Sequence, residues 1–244
     1  MGKIFRYECR RLLWNKFFIG LAVVLLLYGA FVLHAVTILG VARTAPFSPW
    51  SFGDFLSRML PLLWIGMLFA LTFYTSPQAR RSAVLTDAAP MPPRQYALAR
   101  CAAALTGGVL LSLLCMMEAA VFYGRMFRWY RWGRLLLPAL VTLLPTLVFA
   151  LGSGWLLGRL RPWLLYVWMP LPFVLVLLPL PKALGIWNGT FFSGYPLTLG
   201  ILDPTFVVPA VVIAVQAVLL SVGIGLLAAC PRRYRPHYGA RPSV

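Results

Sequence analysis

The sequence predicts an all-α membrane protein: six transmembrane helices, an N-terminal interfacial helix, and short outer re-entrant helices between spans five and six. Three observations predict it. The 244 residues are 61% hydrophobic, with a mean hydropathy of +0.84. Only 11% are charged, against roughly 25% in a soluble domain. The apolar residues also fall in long runs, near the length of about 20 that a bilayer-spanning helix needs. Six such runs and their loops use up the chain, so a single membrane domain over 1–244 is expected.

The first residues, 1–16, read as a separate helix lying in the cytoplasmic interface. On a helical wheel Lys3, Arg6 and Arg10 share a face with Arg11 beside it, and Phe5, Cys9 and Leu12 lie opposite. An ordinary charged flank of the first span is the plainer alternative. The spans are then expected at 17–41, 55–75, 96–123, 135–157, 163–180 and 207–229. Pro61 falls in the first turns of the second. The run from Phe17 is too long for the apolar core of a cleavable signal peptide, and no clean cleavage site follows it.

Basic residues set the orientation, because cytoplasmic loops collect Lys and Arg. With both termini inside, 15 of the 22 Lys and Arg face the cytoplasm, including those of a basic tail at 230–244. One loop dissents. Between spans three and four, Arg125, Arg128, Arg131 and Arg134 alternate with aromatic residues on the outer side. That pattern suits an interfacial segment, with rings at headgroup level and guanidiniums snorkelling. The net charge of +17 therefore reads as membrane-facing rather than as a nucleic-acid surface. The segment between spans five and six is apolar yet broken by Gly and Pro. Irregular backbone at membrane depth survives only when buried in protein or lining a cavity, hence short re-entrant or interfacial helices on the outer side, with a plain extracellular loop as the alternative.

Catalytic chemistry is thinly represented. The five acids are Glu8, Asp54, Asp87, Glu118 and Asp203, and no two lie close enough in sequence to suggest a dyad or a metal cluster. The four cysteines show neither metal-ligand nor disulfide spacing. No G-x-S-x-G, H-E-x-x-H or G-x-x-x-x-G-K-[ST] is present, so the chain is not expected to be an enzyme or to hold a nucleotide by that loop. No cofactor or metal is expected on this chain. Gly154 and Gly158 form a G-x-x-x-G, read as close helix packing. Two ionisable residues fall inside spans. Glu118 is placed to pair with Arg125 or Arg128, with a substrate or proton path as the alternative. His34 reads as a neutral, hydrogen-bonded histidine rather than a functional one.

The polar connection at 76–96 is the most specific segment. Arg80-Arg81-Ser-Ala-Val-Leu reads as a short amphipathic helix. Pro90, Met91, Pro92, Pro93, Arg94, Gln95 and Tyr96 then make a rigid basic turn, because proline fixes φ and restrains the residue before it. Such a stiff projection suits docking of a cytoplasmic partner; a plain connector is the alternative.

On these residues the chain resembles the permease subunit of ATP-binding-cassette exporters of the second type. That family carries an interfacial N-terminal helix, six spans, short outer helices between spans five and six, and a loop motif P-x-S-R-x-x-Y-x-x-x-[KR]. Pro90, Tyr96 and Arg100 match the motif, Arg94 lies within it, and Pro93 stands in the arginine position. The chain departs from the family just before the motif: Gln78-Ala79 and Arg81-Ser82 replace the usual glutamate and Gly-Thr pair. The resemblance implies residence in the inner (plasma) membrane and pairing with a second permease copy or paralogue. It also implies a separate ATPase chain that binds ATP and magnesium, coupled through residues 90–96 and the N-terminal helix to export of an amphiphile. A secondary transporter and a scaffold subunit that does not transport are the competing readings.

Overall fold

The computed structural model describes residues 2–75, 93–178, 180–181 and 184–229, with only the backbone at 93 and 94. The described residues are all-helical. The helices are α1 (Gly2–Leu13), α2 (Lys16–Ala35), α3 (Pro49–Thr75), α4 (Pro93–Phe127) and α5 (Gly133–Leu160). They continue as α6 (Trp163–Trp168), α7 (Leu171–Leu177), α8 (Thr190–Thr198) and α9 (Ala210–Ala228). A short 3₁₀ turn, Thr37–Leu39, follows α2. Five of the helices (α2, α3, α4, α5 and α9) are long and apolar enough to cross a membrane.

α3 is the core of the bundle. Trp50, Phe52, Phe55, Met59, Leu63, Trp64 and Leu71 are all fully buried along it. It begins at Pro49, well before the expected 55. The reason is local. The Ser48 hydroxyl accepts from the Ser51 N–H (3.2 Å), an N-cap that satisfies an otherwise orphaned donor. Pro at the first helical position costs no hydrogen bond. α2, α4 and α5 pack around α3, and α8 covers its first turns through Phe191 and Phe192.

α9 docks on α5 at a glycine contact. A Cβ on Gly152 would overlap the Gly223 carbonyl, and a Cβ on Gly223 would meet Phe149 N at 2.8 Å. The two backbones therefore touch, a device by which membrane helices gain van der Waals contact without a hydrophobic driving force. Gly154 and Gly158 serve a different partner: they abut Leu68, Leu71 and Thr75 of α3. The packing reading of that G-x-x-x-G agrees with this contact.

The expected fifth span takes a different form. Residues Trp163–Leu177 are two short helices, α6 and α7, parted at Met169 and Pro170. At 1.5 Å per residue they would cover about 22 Å even if collinear, short of a hydrocarbon core of about 30 Å. Proline explains the break. The Trp168 carbonyl would normally accept from residue 172, but Pro172 has no N–H. The Trp64 indole supplies the missing donor at 3.1 Å, and the Trp168 indole donates to the Ser153 hydroxyl at 3.0 Å. Other boundaries move outward: the Arg-rich segment expected as a loop over 124–134 is helical to Phe127 and again from Gly133.

Candidate functional site

Helical spacing on α4 puts Tyr96 and Arg100 one turn apart on one face. Arg100 Nη2 donates to the Tyr96 hydroxyl at 2.9 Å, and the guanidinium lies 4.1 Å from the Tyr96 ring centroid. The same guanidinium lies 5.5 Å from the ring of Tyr74, in the last turn of α3. Both tyrosines thus offer the cation a negative π face.

α1 supplies the counter-charge. Glu8 is buried (1% exposed) and accepts from the Tyr96 hydroxyl at 3.1 Å. Arg100 Nε lies 3.6 Å from the same carboxylate oxygen, Oε1. Arg11 reaches Oε2 at 4.0 Å, but its side chain is 53% exposed, so that pair is screened and contributes little. Two residues of the family-like motif, one acid of the N-terminal helix and the end of α3 therefore form one polar cluster. Leu12 of α1 fixes the same docking by packing over Gly107 of α4. Burial pushes the neighbouring Cys9 thiol up, a hydrogen bond with Thr106 works against this, and the Glu8 charge adds to the rise.

The sequence reading missed Glu8 as a site residue, because no second acid lies close enough in sequence to suggest a dyad. A signal was present. Glu8 falls three residues after Phe5 and four before Leu12, so it sits on the apolar face of an amphipathic helix. An acid there needs a partner from another element. Lys3, Arg6, Arg10 and Arg11 fall where the helical wheel put them, exposed on α1.

The remaining expected site residues divide three ways. Pro90, Met91 and Pro92, like the basic tail, lie outside the described residues. Pro93 and Arg94 open α4, and Gln95 follows them half-buried. His34 and Glu118 lie elsewhere: Glu118 is about 33 Å along α4 from Tyr96, at 1.5 Å per residue. His34 is exposed, with Nδ1 2.9 Å from the Ala30 carbonyl and its ring edge-on to Phe122 at 4.9 Å. The hydrogen-bonded reading of His34 is the one this geometry fits. Glu118 makes no ion pair with Arg125 or Arg128. It packs against Gly29 of α2, where any Cβ would overlap the carboxylate, and its Oε2 is buried without a hydrogen bond.

A second ionic pair lies toward the other end of α3. Asp54 is buried and accepts from Arg58 Nε at 2.8 Å. Arg58 lines a groove of about 470 Å³ between α2, α3 and α7, which is otherwise mostly apolar. Among the described residues no three His, Cys, Asp or Glu side chains come together as a metal site.

Comparison with protein-family models, curated proteins and solved structures finds no match. The functional reading therefore rests on the Glu8–Tyr96–Arg100 cluster and on the sequence around it.

Proposed function

We propose that this chain is the transmembrane subunit of an exporter driven by a separate ATP-binding-cassette ATPase. One observation carries the reading. Tyr96 and Arg100, which match the family motif, are tied through Glu8 to the N-terminal helix and through Tyr74 to the central helix α3. A force applied to residues 90–95 would pass directly into α4 and, through a buried charged contact, into α1 and α3. That is what a coupling element requires: a stiff link between a docking turn and the helices that must move.

In this reading α6 and α7 together form the fifth of six spans, their shortfall in length met by local thinning of the bilayer; α1 lies in the cytoplasmic interface, and both termini are cytoplasmic. The short helix α8 lies at the outer face. A second permease copy or paralogue completes the pathway, and ATP and magnesium bind the partner ATPase. The cargo class is an amphiphile: a drug, peptide, lipid or glycan conjugate.

A proton-coupled secondary transporter is the second reading, favoured by the unpartnered Glu118 carboxylate oxygen inside α4. Extraction of the tagged full-length chain from its native membrane in mild detergent separates the two. An ATPase chain bearing a G-x-x-x-x-G-K-[ST] loop should co-purify, and the complex should hydrolyse ATP. A chain that purifies without any ATPase yet transports in response to a pH gradient would sink the exporter reading.

A further inference from the structure

The four arginines after α4 run against the charge rule that orients the rest of the chain. Arg125, Arg128, Arg131 and Arg134 are all exposed, and none of their side chains makes an ion pair or hydrogen bond with a described residue. Two of them are placed by an unusual turn. Trp129 N–H donates to the Tyr123 carbonyl at 3.3 Å, closing a C-terminal turn one residue longer than the Schellman motif. The Trp129 ring packs edge-on to Tyr123 at 6.1 Å, the apolar contact that accompanies such a closure. The left-handed residue inside it is normally glycine; here it is Arg128, with φ +53°. The fold therefore holds an arginine where the backbone alone would favour glycine. Strain of that kind persists only where the surrounding structure holds it, here the Trp129–Tyr123 closure.

The strained turn builds a hollow. Arg125 and Arg128 line an open depression of about 510 Å³ together with Tyr130, Trp132, Ala120 and Val121. The Tyr130 hydroxyl donates to the Gly124 carbonyl at 3.4 Å, and its ring meets Trp132 edge-on at 6.0 Å, which fixes the aromatic part of the lining. Below the hollow, Val121, Met117 and Leu113 are exposed along an α4 face that carries no charge. Two free guanidiniums, an aromatic rim at the end of a membrane-crossing helix, and an apolar track leading from them make a composite surface. Guanidinium forks match phosphate oxygens bidentately, and rings of this kind settle at headgroup level.

We infer that this hollow binds the phosphodiester of an anionic phospholipid, with Arg125 and Arg128 on the phosphate and an acyl chain along the Leu113–Met117–Val121 face. The two positive charges without a described counter-ion select an anionic over a zwitterionic headgroup. The apolar track selects a lipid over a free anion.

The test uses the full-length protein in detergent, titrated with phosphatidylglycerol or phosphatidylcholine and read by native mass spectrometry and thermal melting. Phosphatidylglycerol should be retained preferentially and should raise the melting temperature. Arg128→Gly relieves the left-handed strain while removing the charge. It should melt higher without lipid and yet bind phosphatidylglycerol about tenfold more weakly, the scale of one lost charge-assisted hydrogen bond. Arg125→Gln should weaken binding similarly without the stabilisation. Arg131→Gln, outside the hollow, should retain wild-type binding. Any of three results would overturn the inference: equal retention of the two lipids, equal loss in Arg131→Gln, or displacement of the lipid by millimolar inorganic phosphate with the same stabilisation.

Discussion

The Tyr96 hydroxyl donates a 3.1 Å hydrogen bond to Oε1 of Glu8, joining two helices whose partners lie 88 residues apart in sequence. Arg100 closes the cluster from the same turn of α4 as Tyr96. Removing either acid or base from such a buried pair leaves the other charge without compensation, which costs more than the pair contributed.

Glu8→Ala should therefore destabilise the protein by about 3 kcal/mol, at the low end for breaking a buried pair because Arg100 keeps both tyrosine faces. Tyr96→Phe removes two hydrogen bonds, the one donated to Glu8 and the one accepted from Arg100, and should cost about 1–3 kcal/mol. The Glu8/Tyr96 double-mutant cycle, read by denaturation in a fixed detergent, should show coupling above about 0.5 kcal/mol. Strict additivity would mean that the contact carries no energy.

Cys9 lies beside this cluster, and its thiol is pushed up by burial. A raised thiol pKa means less thiolate at any given pH. Alkylation of Cys9 at neutral pH should be slower than that of an exposed cysteine, and should still be climbing at a pH where the exposed one has reached its plateau. Glu8→Gln removes a charge that raises the pKa, so labelling at fixed pH should speed up. Site-resolved mass spectrometry measures both. Unchanged or slower labelling in Glu8→Gln would contradict the placement of the carboxylate next to the thiol.

At the α5–α9 contact, Gly223→Val places a side chain against the Phe149 and Val148 backbone. Overpacking against an immovable backbone should cost about 1–3 kcal/mol. Gly225→Val, where a Cβ meets nothing within 4 Å, should be nearly silent. Equal melting temperatures for the two variants would contradict the backbone contact.

The orientation has its own test. Both termini are proposed to face the cytoplasm, on the bias of 15 of 22 basic residues. A cysteine at Tyr238 should resist impermeant thiol reagents in intact cells and react after permeabilisation. Ready labelling of intact cells would reverse the topology.

Hydropathy made the five long helices legible, because an apolar run near the span length has few other stable outcomes in lipid. At 163–180 it did not foresee the break into two short helices, because Pro170 and Pro172 remove backbone donors that hydropathy does not count. It also began the second helix at 55, beyond Asp54. With the helix capped by Ser48, Asp54 and Arg58 fall at i and i+4, a pairing the spacing alone would have suggested. The motif residues Tyr96 and Arg100 were visible as sequence. Their partner Glu8 was visible only as an acid on an apolar helix face, and nothing in the sequence says which element answers it. Long-range partners of buried polar groups are set by packing, which a single chain's pattern does not encode.

In the proposed mechanism residues 90–96 receive a partner ATPase and pass its motion through the Glu8–Tyr96–Arg100 cluster. The most direct measurement uses the ATPase chain that co-purifies with the full-length protein, assaying its capture and its transport-linked ATP hydrolysis together. Arg94→Glu should lose capture by about tenfold or more, as expected for one reversed charge-assisted contact. Replacing Pro92 and Pro93 by glycine, or Tyr96 by Phe, should keep capture and uncouple hydrolysis from transport. Wild-type capture and coupling in all of these variants would reduce the loop to a connector and contradict the account.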